Sequence, residues 1–473
     1  MNEGSLRPDL SRRSFVQTLG GLLAGGMMGA LRAAEAPAAK PNVVIVIADD
    51  LNRSDVSCYG GRNVQTANID RVAAEGVRFD YAFTATAMCA PMRMQLYTAL
   101  YPVRNGAYPN HSRVKDGTRS VVHYLRDLGY RVGLIGKTHF GPRDSFPFTM
   151  VKGKMAPGGD WSGVEGFVAK DRKQPFCLVV CSHEPHLPWN KGDASAFDPA
   201  KLRLPPLYVD TPATREALCR YYAEVKYFDE QVGDVVKLID AAGLRDTTLL
   251  MVLTEQGAQL PGGKWTCYRP GLHVGIVARW PGKVKPASVS KAMIAYVDVV
   301  PTLIEAAGGK PSPDLDGRSF LPVLLGTTDE HSTYAYGVHT SGHAAAPKEG
   351  YPVRSIRTRD VKYLMNLNHK VEYTNVLTTG DKEKYWKSWV ERAKTDPKAR
   401  KLVDRYTRRP PEELYDLAKD PFELNNLADD PAYAKTKAEL RAKLLEWMES
   451  QGDRGMETEL AGRTRGRKKR KPR

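Results

Sequence analysis

Short apolar runs recur along this chain, and the residues that close them are polar in a repeating way. The first run, residues 41–48, reads Pro-Asn-Val-Val-Ile-Val-Ile-Ala and stops at Asp49-Asp50. A β-branched run without polar alternation predicts a strand covered on both faces, as in a parallel sheet. Residues 130–135, 175–181 and 248–253 repeat the pattern and run into Gly136-Lys137-Thr138-His139, Ser182-His183-Glu184-Pro185-His186 and Thr254-Glu255-Gln256-Gly257. Between these runs the apolar spacing changes to three and four. Residues 68–76 and 120–128 predict helices, residues 92–100 the N-terminal half of one, and residues 105–113, with His111, a loop. Residues 220–242 carry Tyr222, Val225, Phe228, Val232, Val236 and Ile239 on one stripe and predict a long amphipathic helix closed by Gly243. Strands alternating with helices predict an α/β fold, a large, mostly parallel sheet flanked by helices. Ligands in such folds gather outside the carboxyl ends of the strands, where these polar tails fall.

From about residue 331 the pattern changes. Shorter runs at residues 353–358, 362–366, 413–417 and 425–427 precede a final helical stretch at 434–451. The length exceeds a single core of roughly 150 residues, so a large domain at 37–330 and a smaller α+β one at 331–455 are expected. The first 36 residues stand apart. Ser11-Arg12-Arg13-Ser14-Phe15-Val16-Gln17, a Gly-rich apolar stretch and Ala33-Ala34-Glu35-Ala36 read as a twin-arginine export signal. The stretch is too short for a membrane span. Recognition by the Tat translocon and delivery to the periplasm or cell envelope are the expectation.

Charge changes this picture little. The excess of +16 would suggest a nucleic-acid partner, but Arg463, Arg465, Arg467, Lys468, Lys469, Arg470, Lys471 and Arg473 crowd the last eleven positions. Without them the excess halves to +8, and no nucleic-acid partner is expected. Residues 456–473 are expected to form a disordered basic tail suited to an anionic glycan or membrane surface. Six cysteines in an exported chain invite disulfides, yet setting Cys89 aside leaves an odd five. Cys177 and Cys181, four apart on one strand, would lie ~13 Å from each other at ~3.3 Å per residue, too far to bridge.

The chemistry centres on Cys89-Ala90-Pro91-Met92-Arg93, extended through Leu96 and Thr98. A lone cysteine is by default a small buried hydrophobe. Cys-x-Pro-x-Arg, however, resembles the motif of the type I, formylglycine-dependent sulfatases of the alkaline phosphatase superfamily. There an enzyme oxidises the cysteine to formylglycine, and one hydroxyl of the hydrated aldehyde attacks sulfur. Loss of the other hydroxyl's proton then expels sulfate and splits one hard step into two. The resemblance runs in order through residues 40–450, including Gly136-Lys137-Thr138-His139, Pro185-His186-Leu187-Pro188, Gly263-Lys264-Trp265-Thr266 and Leu315-Asp316-Gly317-Arg318-Ser319. Met92 stands where the family has Ser, Ala99 where it has Gly, and Glu255-Gln256 where it has Asp-His or Asp-Asn.

The resemblance implies an alkaline-phosphatase-like mixed sheet and a C-terminal domain with an antiparallel sheet. It also implies a metal held by Asp49, Asp50, Glu255 and Gln256 beside the group made from Cys89. An all-oxygen set suits calcium, or less well magnesium, and not zinc. Arg93, Lys137 and Lys264 would neutralise sulfate charge. His139 would deprotonate the second hydroxyl, His186 would serve the leaving group, and Glu255 would take a proton from the attacking hydroxyl. His111, His183, His186 and Lys264 fall on the substrate side, with His339, His343 and Arg354 as candidates for recognition. The partners implied are a sulfated carbohydrate and a formylglycine-generating or sulfatase-maturating enzyme, and oligomeric state is left open. Bacterial polysaccharide sulfatases and the sulfamidase branch share the layout. A phosphodiesterase or phosphonate hydrolase of the same superfamily and a non-catalytic binder of sulfated glycan are the alternatives.

Overall fold

A computed structural model describes residues 40–341, 347–380 and 383–465. The export signal expected at 1–36, residues 466–473 of the basic tail, and His343 lie outside the described residues. The strands are β1 (Asn42–Ile47), β2 (Val77–Phe83), β3 (Arg131–Gly136), β4 (Thr149–Met150), β5 (Phe176–Cys181), β6 (Thr248–Leu253), β7 (His273–Arg279) and β8 (Ser288–Ala295), then β9 (Ala335–His339), β10 (Val353–Arg357), β11 (Val361–Asn366) and β12 (Glu412–Asp416). The first eight form one sheet in the order β4-β3-β5-β1-β6-β7-β2-β8, and the last four a second in the order β12-β11-β10-β9. The neighbours β3, β5, β1 and β6 are parallel, β7 is antiparallel to both β6 and β2, and the second sheet is antiparallel throughout.

The continuous apolar runs are the middle of the large sheet because both of its faces are covered. In β1, Val44 and Val46 join a core with the helix Pro212–Ala241, while Val43, Ile45 and Ile47 join the opposite core with the helices Cys89–Thr98 and Val121–Asp127. Successive side chains of a strand point to opposite faces, so every residue of the run is used. Each buried Val, Ile or Leu contributes roughly 1.5–3 kcal/mol relative to exposure. The two sheets meet through Tyr268 Oη, which donates to Glu413 Oε2 (2.9 Å), and through the Val338 amide, which donates to Ala85 O (2.6 Å).

Four local expectations need correction. Residues 425–427 are not a strand, because the Asn426 side chain turns the chain there, its Oδ1 accepting the amides of Leu414 (2.8 Å) and Ala428 (3.0 Å). The long helix starts at Pro212 rather than 220, capped by Thr211, whose Oγ1 accepts the Thr214 amide. Strands β2, β7 and β8 were not distinguished by pattern; in β2, Arg78 and Asp80 interrupt the apolar residues and a bulge shifts the register between Phe79 and Ala82. Residues 456–465, expected in the disordered tail, form the helix Met456–Arg465, with Glu459 accepting the Ser341 amide on both oxygens (3.0 and 3.2 Å). All six cysteines are free, and no helix among the described residues is long and apolar enough to cross a membrane.

Candidate active site

Four adjacent parallel strands, β3, β5, β1 and β6, deliver their C-terminal loops to one place. Asp49 and Asp50 follow β1, Lys137 and His139 follow β3, His186 follows β5, and Glu255 and Gln256 follow β6. Asp50 (φ 66°) and Glu255 (φ 63°) both occupy left-handed backbone, a strain of about 1–3 kcal/mol each for a non-glycine residue. They brace each other, the Asp50 amide donating to Glu255 Oε2 (3.1 Å). The helix Cys89–Thr98 starts at Cys89 itself, and Arg93, one turn on, shares its face. This helix is buried along its whole length. It ends at Ala99 in left-handed backbone (φ 56°), which is why glycine is the easier residue there and alanine is tolerated at about 1–2 kcal/mol.

The side chains converge tightly. Cys89 Sγ is 3.4 Å from Asp49 Oδ1 and 3.7 Å from Asp50 Oδ1, and Gln256 Nε2 donates to Asp50 Oδ1 (2.6 Å) at 3.3 Å from the same sulfur. Lys264 Nζ donates to Asp50 Oδ2 (2.6 Å), and Lys137 Nζ donates to Asp49 Oδ2. Arg93 Nη2 lies 2.7 Å from Glu255 Oε1 and 4.0 Å from Asp49 Oδ1. One ligand atom from each of Asp49, Asp50, Cys89 and Glu255 falls within 4.8 Å of all the others.

Burial would raise both Asp49 and Glu255. At Asp49 the Lys137 ammonium, a hydrogen bond with Glu255 and the Arg93 guanidinium overcome it and hold the carboxyl well below its usual range. At Glu255 burial prevails over Arg93, Asp49 adds repulsion, and the carboxyl is held well above its usual range. Burial, with the charge of Glu255 behind it, also pushes the Cys89 thiol far up. An unconverted Cys89 is therefore a thiol and not a nucleophilic thiolate. Burial opposes the charges on Lys137 and Lys264, but the neighbouring acids win and both are raised.

The donor set fits a hard divalent cation. Gln256 Oε1 is buried with no hydrogen-bond donor, and Glu255 Oε1 has only its ion pair with Arg93. Amide oxygen and nitrogen are interchangeable by a flip. Turned over, Gln256 would set an oxygen against Asp50 Oδ1, a pairing of acceptors that needs a cation between them. Arg93, Lys137 and Lys264 already face these acids, and a divalent ion would add to the positive charge that an anionic sulfate ester meets there.

The histidines lie around this cluster. His139 Nε2 is 2.8 Å from His111 Nδ1, while His139 Nδ1 is buried and unpartnered. Burial and then Lys137 push His139 down to about 3, so its imidazole is neutral. His186 Nδ1 donates to Leu187 O (2.5 Å), leaving Nε2, 3.6 Å from Asp50 Oδ2, as the free atom. His183 is exposed in the field of Lys137 and Asp49. Two recognition candidates fall elsewhere. Arg354 is fully buried and donates to Asp453 Oδ1 (2.9 Å), and His339 is 3% exposed beneath it, so neither reaches a substrate. Sequence reasoning gave no place to Trp265, whose ring carries Lys264 Nζ at 5.2 Å from its centroid, or to Asn52, whose Oδ1 accepts the Ala258 amide (2.8 Å) and so anchors the loop between Gln256 and Lys264. An aromatic next to a functional lysine was the available signal.

Fold and site define a hydrolase that holds a tetrahedral oxyanion ester among buried cations at the strand ends. The chain belongs to the sulfatase family, whose sequence profile matches residues 41–157 and 162–309, and the profile for the C-terminal region of N-sulphoglucosamine sulphohydrolase matches residues 263–381. It is 36% identical over 426 residues to an ulvan-active sulfatase of Formosa agariphila, covering 88% of this chain and 81% of the relative. It is 28% identical over 468 residues to N-sulphoglucosamine sulphohydrolase of Homo sapiens, covering 86% and 89%. Among solved structures, one in complex with its substrate D-glucosamine-2-N,6-O-disulfate aligns at TM-score 0.65 and 21% identity over 88% of this chain and 99% of that one. The phosphonate monoester hydrolase of Agrobacterium radiobacter aligns at 0.65 and 18% over 87% and 96%. These last two likenesses are of fold, the alkaline-phosphatase-like fold of sulfatases. The protein is a sulfuric ester hydrolase.

Proposed function

We propose that the substrate is a sulfated polysaccharide or oligosaccharide, that Cys89 acts after conversion to formylglycine by a maturating enzyme, and that calcium held by Asp49, Asp50, Glu255 and Gln256 completes the site. The observation that carries this reading is the buried meeting of three carboxylates, three cations and Cys89 at the ends of β1 and β6. The ion supplies electrostatic neutralisation of the sulfate oxygens. Arg93 Nε and Nη1 are buried donors without partners in the described residues and serve the same oxygens. A preorganised donor of this kind is worth about 2.7–4 kcal/mol in the transition state. His139 Nδ1, neutral and unpartnered, accepts the proton whose loss releases sulfate, with His111 fixing the ring through Nε2. His186 Nε2 is the atom available to the leaving group. Glu255, whose carboxyl is held well above its usual range, accepts the proton of the attacking hydroxyl and also pairs with Arg93 (2.7 Å).

The substrate assignment is supported by the relatives' names, ulvan-active sulfatase and N-sulphoglucosamine sulphohydrolase. The match at residues 263–381 favours an N-sulfate as a second reading. Sulfate release should be compared for ulvan, N-sulfoglucosamine and matched phosphate and phosphonate monoesters. O-sulfated saccharide is expected to be turned over best; preference for N-sulfoglucosamine would select the second reading, and preference for phosphonate would overturn both.

Metal removal gives a separate check. Chelation, or Asp50→Asn, should remove a stoichiometric divalent ion and lower activity by at least about 100-fold, the scale of a misplaced reacting group. Elemental analysis that found zinc, or no divalent ion, in active enzyme would overturn the oxygen-ligand assignment. Export to the periplasm is proposed from the arginine pair. Changing Arg12 and Arg13 together to Lys should retain the protein in the cytoplasm of its bacterial host, and undiminished delivery to the envelope would contradict the signal.

A further inference from the structure

A cavity of about 440 Å³ outside the catalytic cluster carries four arginines in its lining. Its size lies within the roughly 300–1,000 Å³ of small-ligand sites. Arg53, Arg62, Arg203 and Arg269 line it with a single acid, Asp55. That acid is already engaged, accepting from Asn52 Nδ2 (2.9 Å) and Tyr221 Oη (3.1 Å). An adjoining recess shares Arg53 and Arg269 and adds Arg78 with Asp80, whose Oδ1 serves both Arg78 (3.1 Å) and Arg53 (3.5 Å). Cations thus outnumber acids throughout. Arg62 and Arg203 are exposed and have no carboxylate partner among the described residues. Arg53, its side chain only 14% exposed, lies 4.1 Å above the Tyr59 ring and keeps a buried Nε without a partner.

A surface lysine or arginine is ordinarily a solvated charge. Here Arg53 is withdrawn from water and repelled by Arg269 and Arg78, and its one acidic neighbour, Asp80 at 3.5 Å, is shared with Arg78. Such a concentration of one sign attracts an anion from solution. The lining also has an apolar part, formed by Leu204, Pro205, Pro206, Leu207 and Phe422, the last 38% exposed. Guanidinium groups and apolar side chains lining one cavity match a ligand with anionic substituents on a ring with flat C–H faces.

We propose that this groove is a second, non-catalytic binding site for an anionic saccharide, with Arg53, Arg62 and Arg203 taking its sulfate or carboxylate groups and Phe422 packing on a sugar face. The proposal rests on the reading of the substrate as a sulfated glycan. None of the catalytic cluster lines the groove. Asn52 connects the two, its Nδ2 holding Asp55 at the groove and its Oδ1 holding the Ala258 amide of the catalytic loop. A polymer seated there raises the local concentration of sulfate esters at the catalytic site, whereas a small ester gains nothing.

The test uses the full chain carrying Cys89→Ala, which binds without turnover. Calorimetry at fixed ionic strength compares ulvan binding by this protein, by its Arg62→Glu/Arg203→Glu variant, and by a Lys170→Glu/Lys173→Glu control at exposed positions before β5. The groove variant should bind ulvan about tenfold more weakly, the scale of a few charge contacts, and the control should be nearly unchanged. With Cys89 restored, the groove variant should show a raised KM for ulvan and an unchanged kcat/KM for a small aryl sulfate. Failure of ulvan to bind, equal affinity in the groove variant, an equal loss in the control, or displacement of ulvan by inorganic sulfate at matched ionic strength would overturn the proposal. If active wild type released no sulfate from any glycan, the substrate reading would fail, while calorimetry would still decide the groove.

Discussion

Cys89→Ala should reduce sulfate release by at least about 10⁴-fold, the scale on which loss of a covalent nucleophile is felt when binding and electrostatics remain. The same loss is expected for unaltered chain made in cells that lack a maturating enzyme. Both follow from one physical fact. Burial and Glu255 keep the Cys89 sulfur protonated, so the residue contributes no chemistry until it is oxidised. Cys89 is 2% exposed, and removing its sulfur leaves only a small gap, so the loss of stability should be no more than about 1–2 kcal/mol. Thermal melting of the variant separates lost chemistry from lost fold. Activity within tenfold of wild type in a well-folded Cys89→Ala protein would remove this residue from the mechanism.

Glu255→Asp should cost about 100-fold in kcat/KM even though it restores the shorter acid usual in the family, because a misplacement of ~1 Å in a catalytic group has that effect. Both oxygens of Glu255 have defined partners, the Arg93 guanidinium at 2.7 Å and the Asp50 amide at 3.1 Å. One methylene less withdraws the carboxylate from both. It frees Arg93, which is fully buried, and loosens the left-handed turn at Asp50. Glu255→Gln keeps the length and removes the charge, so it should preserve more of the fold while weakening divalent-ion binding and turnover together. Measuring sulfate release and calcium affinity for both variants checks this. Wild-type values in both would make Glu255 an ordinary turn residue.

The legible part of this protein is the part with a simple pattern. Strands β1, β3, β5 and β6 are visible because each carries an apolar run without polar alternation and ends in polar residues. The fact that they are sheet neighbours is what gathers Asp49, Lys137, His186 and Glu255. Strand β2 was hidden by Arg78 and Asp80, half-buried polar residues that break its apolar run beside the bulge. The early start of the long helix was written in Thr211-Pro212, a cap followed by proline, but periodicity gave those residues no weight. Contacts were less accessible than elements. Nothing in sequence places Glu255 on Arg93, 162 positions away. Arg354 and His339 were plausible recognition residues on residue type alone, and only their burial beside Asp453 assigns them to the core. The arginine groove was illegible for the same reason, since Arg53, Arg203 and Arg269 come from distant segments.

Mass spectrometry of the peptide containing Cys89, taken from enzyme purified out of its native host, tests the central claim most directly. The account predicts an aldehyde or its hydrate at that position, with sulfate release rising in proportion to the converted fraction. An unmodified thiol at Cys89 in enzyme that turns over sulfate esters would contradict it.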